Sequence, residues 1–152
     1  MPTELHVTAE ARPECLRPLR DIAGSIASEA GLSSVQVYAV KFCVSEAVAN
    51  VVKHAYPEGE PGSVEVSAHE AGGELAVVVA DHGSGRVEQA NRLDEGGFGL
   101  AFMTRLTDGV TFTAASDGTT VEMLFPLSGG EVRAATRHHL GAGKPECTSP
   151  PP

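Results

Sequence analysis

The stretch that decides the reading of this chain is SEAVANVVKHAYP, Ser45–Pro57. Its apolar residues, Ala47, Val48, Val51, Val52 and Ala55, suit the buried side of a helix. Glu46, Asn50 and His54 recur every fourth residue, which stacks them on one helical face, with Lys53 beside them. Glu46 and Asn50 stand one turn apart, about 6 Å along the axis. The Asn50 amide supplies a neutral oxygen suited to Mg²⁺ that already carries phosphate oxygens. Glu46 is then placed to take a proton from an attacking hydroxyl or water. The competing reading is a polar stripe facing solvent, or Glu46 paired with Lys53.

Working outward, this helix begins near Ser33 or Ser34, either of which can cap it, and ends before Pro57 and Gly59. Before it, ELHVTA (4–9) alternates as a strand. PECLRPLRDIAGSIASEAG (13–31) repeats Leu16, Leu19, Ile22, Ala23 and Ile26 with a helical period. Pro18 belongs in its first turn or kinks it. After it, residues 62–70 and the nearly all-apolar 73–83 read as a hairpin turned at Ala71-Gly72-Gly73, the second strand being central. Residues 83–97 read as a loop. Residues 97–109 read as a short helix with Leu100, Met103 and Leu106 inward. VTFTAAS and TTVEMLFPL read as a hairpin turned at Asp117-Gly118. Residues 1–127 form one domain on this reading. The Gly-, Pro- and Ser-rich 128–152 is expected to be a disordered tail. The order β-α-α-β-β-loop-α-β-β predicts an α+β sandwich, a mixed sheet with helices on one face. It is not the strict alternation of a dinucleotide-binding fold.

Bulk properties narrow the function. The 152 residues suit a single core. Twenty acidic against eleven basic residues give a net charge of −9, which argues against a nucleic-acid partner. A nucleotide stays open, because backbone N–H groups and a metal ion can hold its phosphates. There is no run of about 18 apolar residues, so no membrane span is expected. The N-terminus lacks the basic-then-apolar order of a secretory signal, and the expected location is cytoplasmic. Cys15, Cys43 and Cys147 form no CxxC pair, so neither a zinc site nor a disulfide framework is indicated, and Cys43 reads as core.

Two further places carry chemistry. In VVVADHGSG (77–85) a buried strand ends in Asp81, followed by Gly83 and Gly85. A carboxylate there can accept from an amino group such as the exocyclic amine of adenine, and the glycines let backbone approach a ligand. An ordinary strand-to-loop turn also favours Asp and Gly. In EGGFGLAFM (95–103) Gly97 and Gly99 open a helix, an approach suited to phosphates, or simply to small residues packing on the sheet. Thr119 and Thr120, after the Asp117-Gly118 turn, are plain strand residues or bring a hydroxyl to the ligand.

Order and spacing join these weak signals. E-x-x-x-N on a helix, DxGxG after a strand, GxG-Leu before a helix and a late Gly-Thr strand resemble the Bergerat-type ATPase fold. That superfamily includes the gyrase B subunit, the heat-shock 90 chaperones and the histidine kinases. VSEAVANVVKHAYP is more narrowly similar to the anti-sigma factor serine kinases. The resemblance spans Glu4 to Leu127. It implies ATP and Mg²⁺ as ligands, with Asn50 holding Mg²⁺ and Glu46 as general base toward a protein hydroxyl. It implies Asp81 on the adenine amine, helped by Thr119 or Thr120 through water. Gly83 and Gly85 would shape the base pocket, and Gly97 and Gly99 would meet the phosphates. Arg20, on the first helix, would contact protein partners. His54 matches the pattern without an assigned role. Those partners would be a sigma factor and a small anti-anti-sigma (STAS-type) protein, and the resemblance suggests a homodimer. The lid, Arg86 to Gly96, is short, with Arg92 as its candidate for steadying a γ-phosphate. The alternative is a non-catalytic ATP- or ADP-binding module that sequesters a partner.

Overall fold

In the computed structural model the described residues are 3–84, 103 and 105–127. Strand β1 (Glu4–Glu10) leads through a 3₁₀ turn (Pro13–Cys15) into helix α1 (Leu16–Glu29) and then helix α2 (Ser34–Asn50). Strands β2 (Ser63–Ala71) and β3 (Glu74–Asp81) follow, and β4 (Gly109–Ala115) and β5 (Gly118–Pro126) close the fold. Pro18 falls in the first turn of α1, where its missing N–H deprives no carbonyl of a partner. Of α1's predicted apolar face, Leu19 and Ala23 are buried, while Ile22 is exposed.

The Ser33 hydroxyl accepts from the Gln36 N–H at 3.2 Å, and the Gln36 side chain accepts from the Ser33 N–H at 3.0 Å. This reciprocal cap starts α2. Gln36 is also buried, and its amide donates to the Pro126 carbonyl at 2.7 Å, tying the start of α2 to the end of β5. After Asn50 the helix widens into a π turn, Val51–Ala55, before Tyr56 becomes extended ahead of Pro57. By length and hydropathy Ser34–Ala55 could cross a membrane. Its apolar residues Val40, Val44, Ala47, Val48 and Val51 are instead buried in the core cluster with residues of the sheet.

The sheet order is β1-β2-β3-β5-β4. All four pairings are antiparallel, which corrects the expectation of a mixed sheet. The reason is directional. Two helices between β1 and β2 return the chain reversed. The connection after β3 brings β4 back in the same sense, but β5 is inserted between them. Gly72 and Gly73, both with positive φ, make the two-residue turn between β2 and β3. In the β4–β5 turn the loop residues are Ser116 and Asp117, one residue earlier than the sequence suggests, and Gly118 is already paired with Ala115.

Alternation assigns the faces. Val64, Val66 and Ala68 of β2, Leu75, Val77 and Val79 of β3, and Met123 and Phe125 of β5 are buried in one cluster with Leu19, Val40, Val44 and Val48. Met103 is helical and joins this core, and Leu106 packs against it. The Thr107 hydroxyl donates to the Met103 carbonyl, and β4 starts at Gly109, so this helix ends sooner than 109.

Candidate functional site

The helix-facing side of the sheet ends in one cross-strand row: Ala9, Val64, Asp81, Thr119 and Ala114. Asp81 therefore continues the apolar series Leu75, Val77, Val79 on β3, and it is buried. A buried carboxylate needs donors. Its Oδ1 accepts from the Gly83 N–H at 2.9 Å and from the Thr119 N–H at 3.3 Å. Both bonds fall on one oxygen, so Oδ2 takes neither. Thr119 shares this face. Thr120 pairs with Ala80 and Thr113 on the opposite face, so Thr119 is the threonine on the site's side.

The backbone around Asp81 is closely enclosed. A Cβ on Gly83 would lie 2.0 Å from the Ala55 carbonyl oxygen, so this residue seats the strand end on the π turn of the long helix. A Cβ on Gly118 would lie 2.0 Å from the Asp81 carbonyl oxygen, and Gly118 has φ +148°. Glycine is required at both by close approach of backbone. Sequence reasoning had assigned Gly83 to a ligand and Gly118 to a turn. The contacts give each a packing reason as well.

Glu46 and Asn50 lie on the last turns of α2, both half-buried. Neither side chain has a hydrogen-bond partner among the described residues. The Glu46–Lys53 pair does not form among them either. The cross-helix ion pair is Lys41 to Asp21, at 3.9 Å. Among the described residues this carboxylate and amide, one turn apart, keep their capacity for a ligand or water. His54 differs from Glu46 and Asn50 in being exposed where they are half-buried. His54 falls in the π turn that follows Asn50, outside the α-helix that carries Glu46 and Asn50. Lys53 is exposed as well. Arg20 lies half-exposed on α1, its Nε 3.2 Å from Asp21 Oδ1. Gly85, Gly97, Gly99, Arg92 and the rest of the lid lie outside the described residues.

Cys43, one turn before Glu46, is fully buried, and its thiol is pushed up to about 12 by burial, with the Glu46 charge adding to the effect. It is core, as its place in the helix suggests.

Tyr56 is the residue that the motif reading passed over. Its hydroxyl donates to the Ser63 carbonyl and accepts from the His82 N–H at 3.0 Å. The signal was present in the sequence: an aromatic residue with a polar tip, directly before the helix-stopping Pro57.

Known proteins resemble this chain over most of its length. The histidine kinase-like ATPase domain family matches residues 9–125. The serine-protein kinase RsbW of Bacillus subtilis is 32% identical, covering 84% of this chain and 88% of that protein. The RsbW serine-protein kinase of Bacillus velezensis is 33% identical, covering 88% and 90%. A crystal structure of the RsbU and RsbW domains of a Mycobacterium tuberculosis protein matches with a TM-score of 0.64 and 25% identity. That match covers 81% of this chain, which spans only 32% of the solved one. By its sequence, its antiparallel sheet under two helices and its family match, this chain belongs to the histidine kinase-like ATPase domain family, alongside the RsbW serine-protein kinases.

Proposed function

We propose that this chain is an anti-sigma factor with ATP-dependent serine/threonine protein kinase activity. It sequesters a sigma factor and phosphorylates an anti-anti-sigma protein of the STAS type. The observation that carries the reading is the pairing of two polar sets on one fold. A buried, backbone-held Asp81 ends the central strand, and Glu46 and Asn50, without hydrogen-bond partners among the described residues, end the overlying helix. Residues 1–127 act as the kinase domain, 128–152 as a tail, and the protein works in the cytoplasm as a homodimer.

Asp81 receives the adenine amine on Oδ2, the oxygen that takes neither backbone bond, with Thr119 beside it. Gly83 shapes the base site by letting the strand end sit against the Ala55 carbonyl. Gly85, Gly97 and Gly99 line the approach of the nucleotide, and Arg20 meets the protein partners. The Asn50 amide oxygen suits Mg²⁺, a hard cation that takes oxygen ligands. Bound there, Mg²⁺ would neutralise charge on the phosphate oxygens. Glu46 accepts the proton of the partner's serine or threonine hydroxyl as that oxygen attacks the γ-phosphorus in line and ADP leaves. The added phosphate places about −1.5 to −2 charges on the partner's surface, which breaks its competition for the anti-sigma factor.

The test is incubation with Mg-ATP and lysate from the source cell, with phosphoserine and phosphothreonine read on captured proteins by mass spectrometry. A sigma factor and a small phosphorylated antagonist are expected. Glu46→Ala is expected to keep ATP binding and lose transfer by about 10²–10⁴-fold. Full transfer by that variant removes Glu46 from the mechanism. Captured partners that carry no phosphate would point to the sequestering, non-catalytic module.

A further inference from the structure

We propose that Tyr56 is a positioning residue for base selection. Its hydroxyl sets the Asp81–Gly83 backbone at the height from which Asp81 reads an adenine amine. This rests on the reading of Asp81 given above.

The argument starts from register. β2 and β3 pair Val64 with Asp81, so the next pair in the ladder is Ser63 with His82. The Tyr56 hydroxyl sits in that step. It donates to the Ser63 carbonyl and accepts from the His82 amide at 3.0 Å, so one side-chain oxygen bridges the two strands. The sheet is thereby spread at the end that carries Asp81, and β3 leaves its ladder one residue after the carboxylate.

Three consecutive residues are then held from two sides, by β5 and by the end of the π turn. Asp81 accepts from the Thr119 N–H of β5. His82 donates its N–H to Tyr56. Gly83 lies against the Ala55 carbonyl and returns its own N–H to Asp81 at 2.9 Å. Ala55 and Tyr56 are adjacent, at the end of the π turn that follows Asn50. The helix bearing the phosphate-side residues therefore ends in the two residues that hold the base-side strand.

The ring is itself located by its surroundings. A Cβ on Gly62 would come 2.3 Å from the Tyr56 ring, so the ring lies flat on that glycine's backbone. Tyr56→Phe keeps this contact and removes only the bridging oxygen. Ser63 and His82 are then free to close into a direct ladder bond, which draws Asp81 and Gly83 toward β2.

The experiment compares ATP and GTP affinities of the full chain by calorimetry, for the unsubstituted protein, Tyr56→Phe, Asp81→Asn and the double variant. Tyr56→Phe is expected to weaken ATP about five- to tenfold, the worth of a well-placed hydrogen bond. GTP, held through its phosphates, is expected to change little, so the ATP preference narrows. In the Asp81→Asn background Tyr56→Phe is expected to have no further effect on that preference, because it acts through Asp81. Gly62→Ala, which pushes the ring aside, should narrow the preference in the same way and carries the test if Tyr56→Phe is not recovered folded. An unchanged ATP-to-GTP ratio in folded Tyr56→Phe overturns the proposal and leaves Tyr56 as a packing residue. Equal loss of both nucleotides overturns it too. No ATP preference in the unsubstituted chain overturns the Asp81 reading first, and is seen before any variant is made.

Discussion

Asp81 was legible as a residue but not as an arrangement. Its place after VVVA marked a strand end, and the glycines marked a turn. The sequence did not reveal that Gly83 and Thr119 both donate to one oxygen, because Thr119 is 38 residues away. Asp81→Asn keeps an acceptor for those two N–H groups and removes the charge. ATP affinity is expected to fall about tenfold or more, with the melting temperature little changed, as read by calorimetry and thermal unfolding. Gly83→Ala should do the reverse of a clean site variant. Its Cβ meets backbone, not a flexible side chain, and unfolding free energy in urea should drop by about 3 kcal/mol. Cys43 gives a prediction in pH. Its folded thiol ionises only near 12, against an ordinary 9.0. Between those values the unfolded chain releases a proton that the folded chain keeps. The stability from this group is thus full below about pH 9 and declines by up to about 1.4 kcal/mol per pH unit above it. Urea unfolding of the unsubstituted chain and of Cys43→Val from pH 8 to 11 should diverge in that direction.

At the level of elements, most boundaries were written in local chemistry. Ser33, Pro57 and the Gly72-Gly73 pair act through one or two residues each, so a reader of the chain could place them. The π turn was not legible. It reflects tertiary contacts, the Ala55 carbonyl against Gly83 and Tyr56 against Gly62, which outweigh the α pattern of VVKHA. The cap of α2 makes a separable prediction. Ser33→Ala should lower stability by about 1 kcal/mol. Gln36→Ala should lower it further, since Gln36 closes the capping box and also holds Pro126 from a buried position. Urea midpoints of the two variants test the order.

For the whole molecule, the helices on one face and the strand sequence were legible from period alone. Strand direction was not, because it depends on which strand is inserted where. β5 lies between β3 and β4, and no local signal states that. The core follows from that insertion: Phe125 and Met123 meet Leu75 and Val77 across the β3–β5 ladder. Phe125→Ala should therefore cost about 3–5 kcal/mol in urea unfolding and reduce nucleotide binding through loss of folded chain. The same ladder has an evolutionary side. Its pairing of Asp81 with Thr119 fixes the two ends of the span between them, and on the proposed reading the base site is built at those ends, with Gly83 just inside. Closing a loop depends on its length only logarithmically, about 0.6 kcal/mol for each doubling. Relatives of this chain can therefore gain or lose residues between Ser84 and Met103 at little cost in closure, while the pairing of Asp81 with Thr119 stays the same.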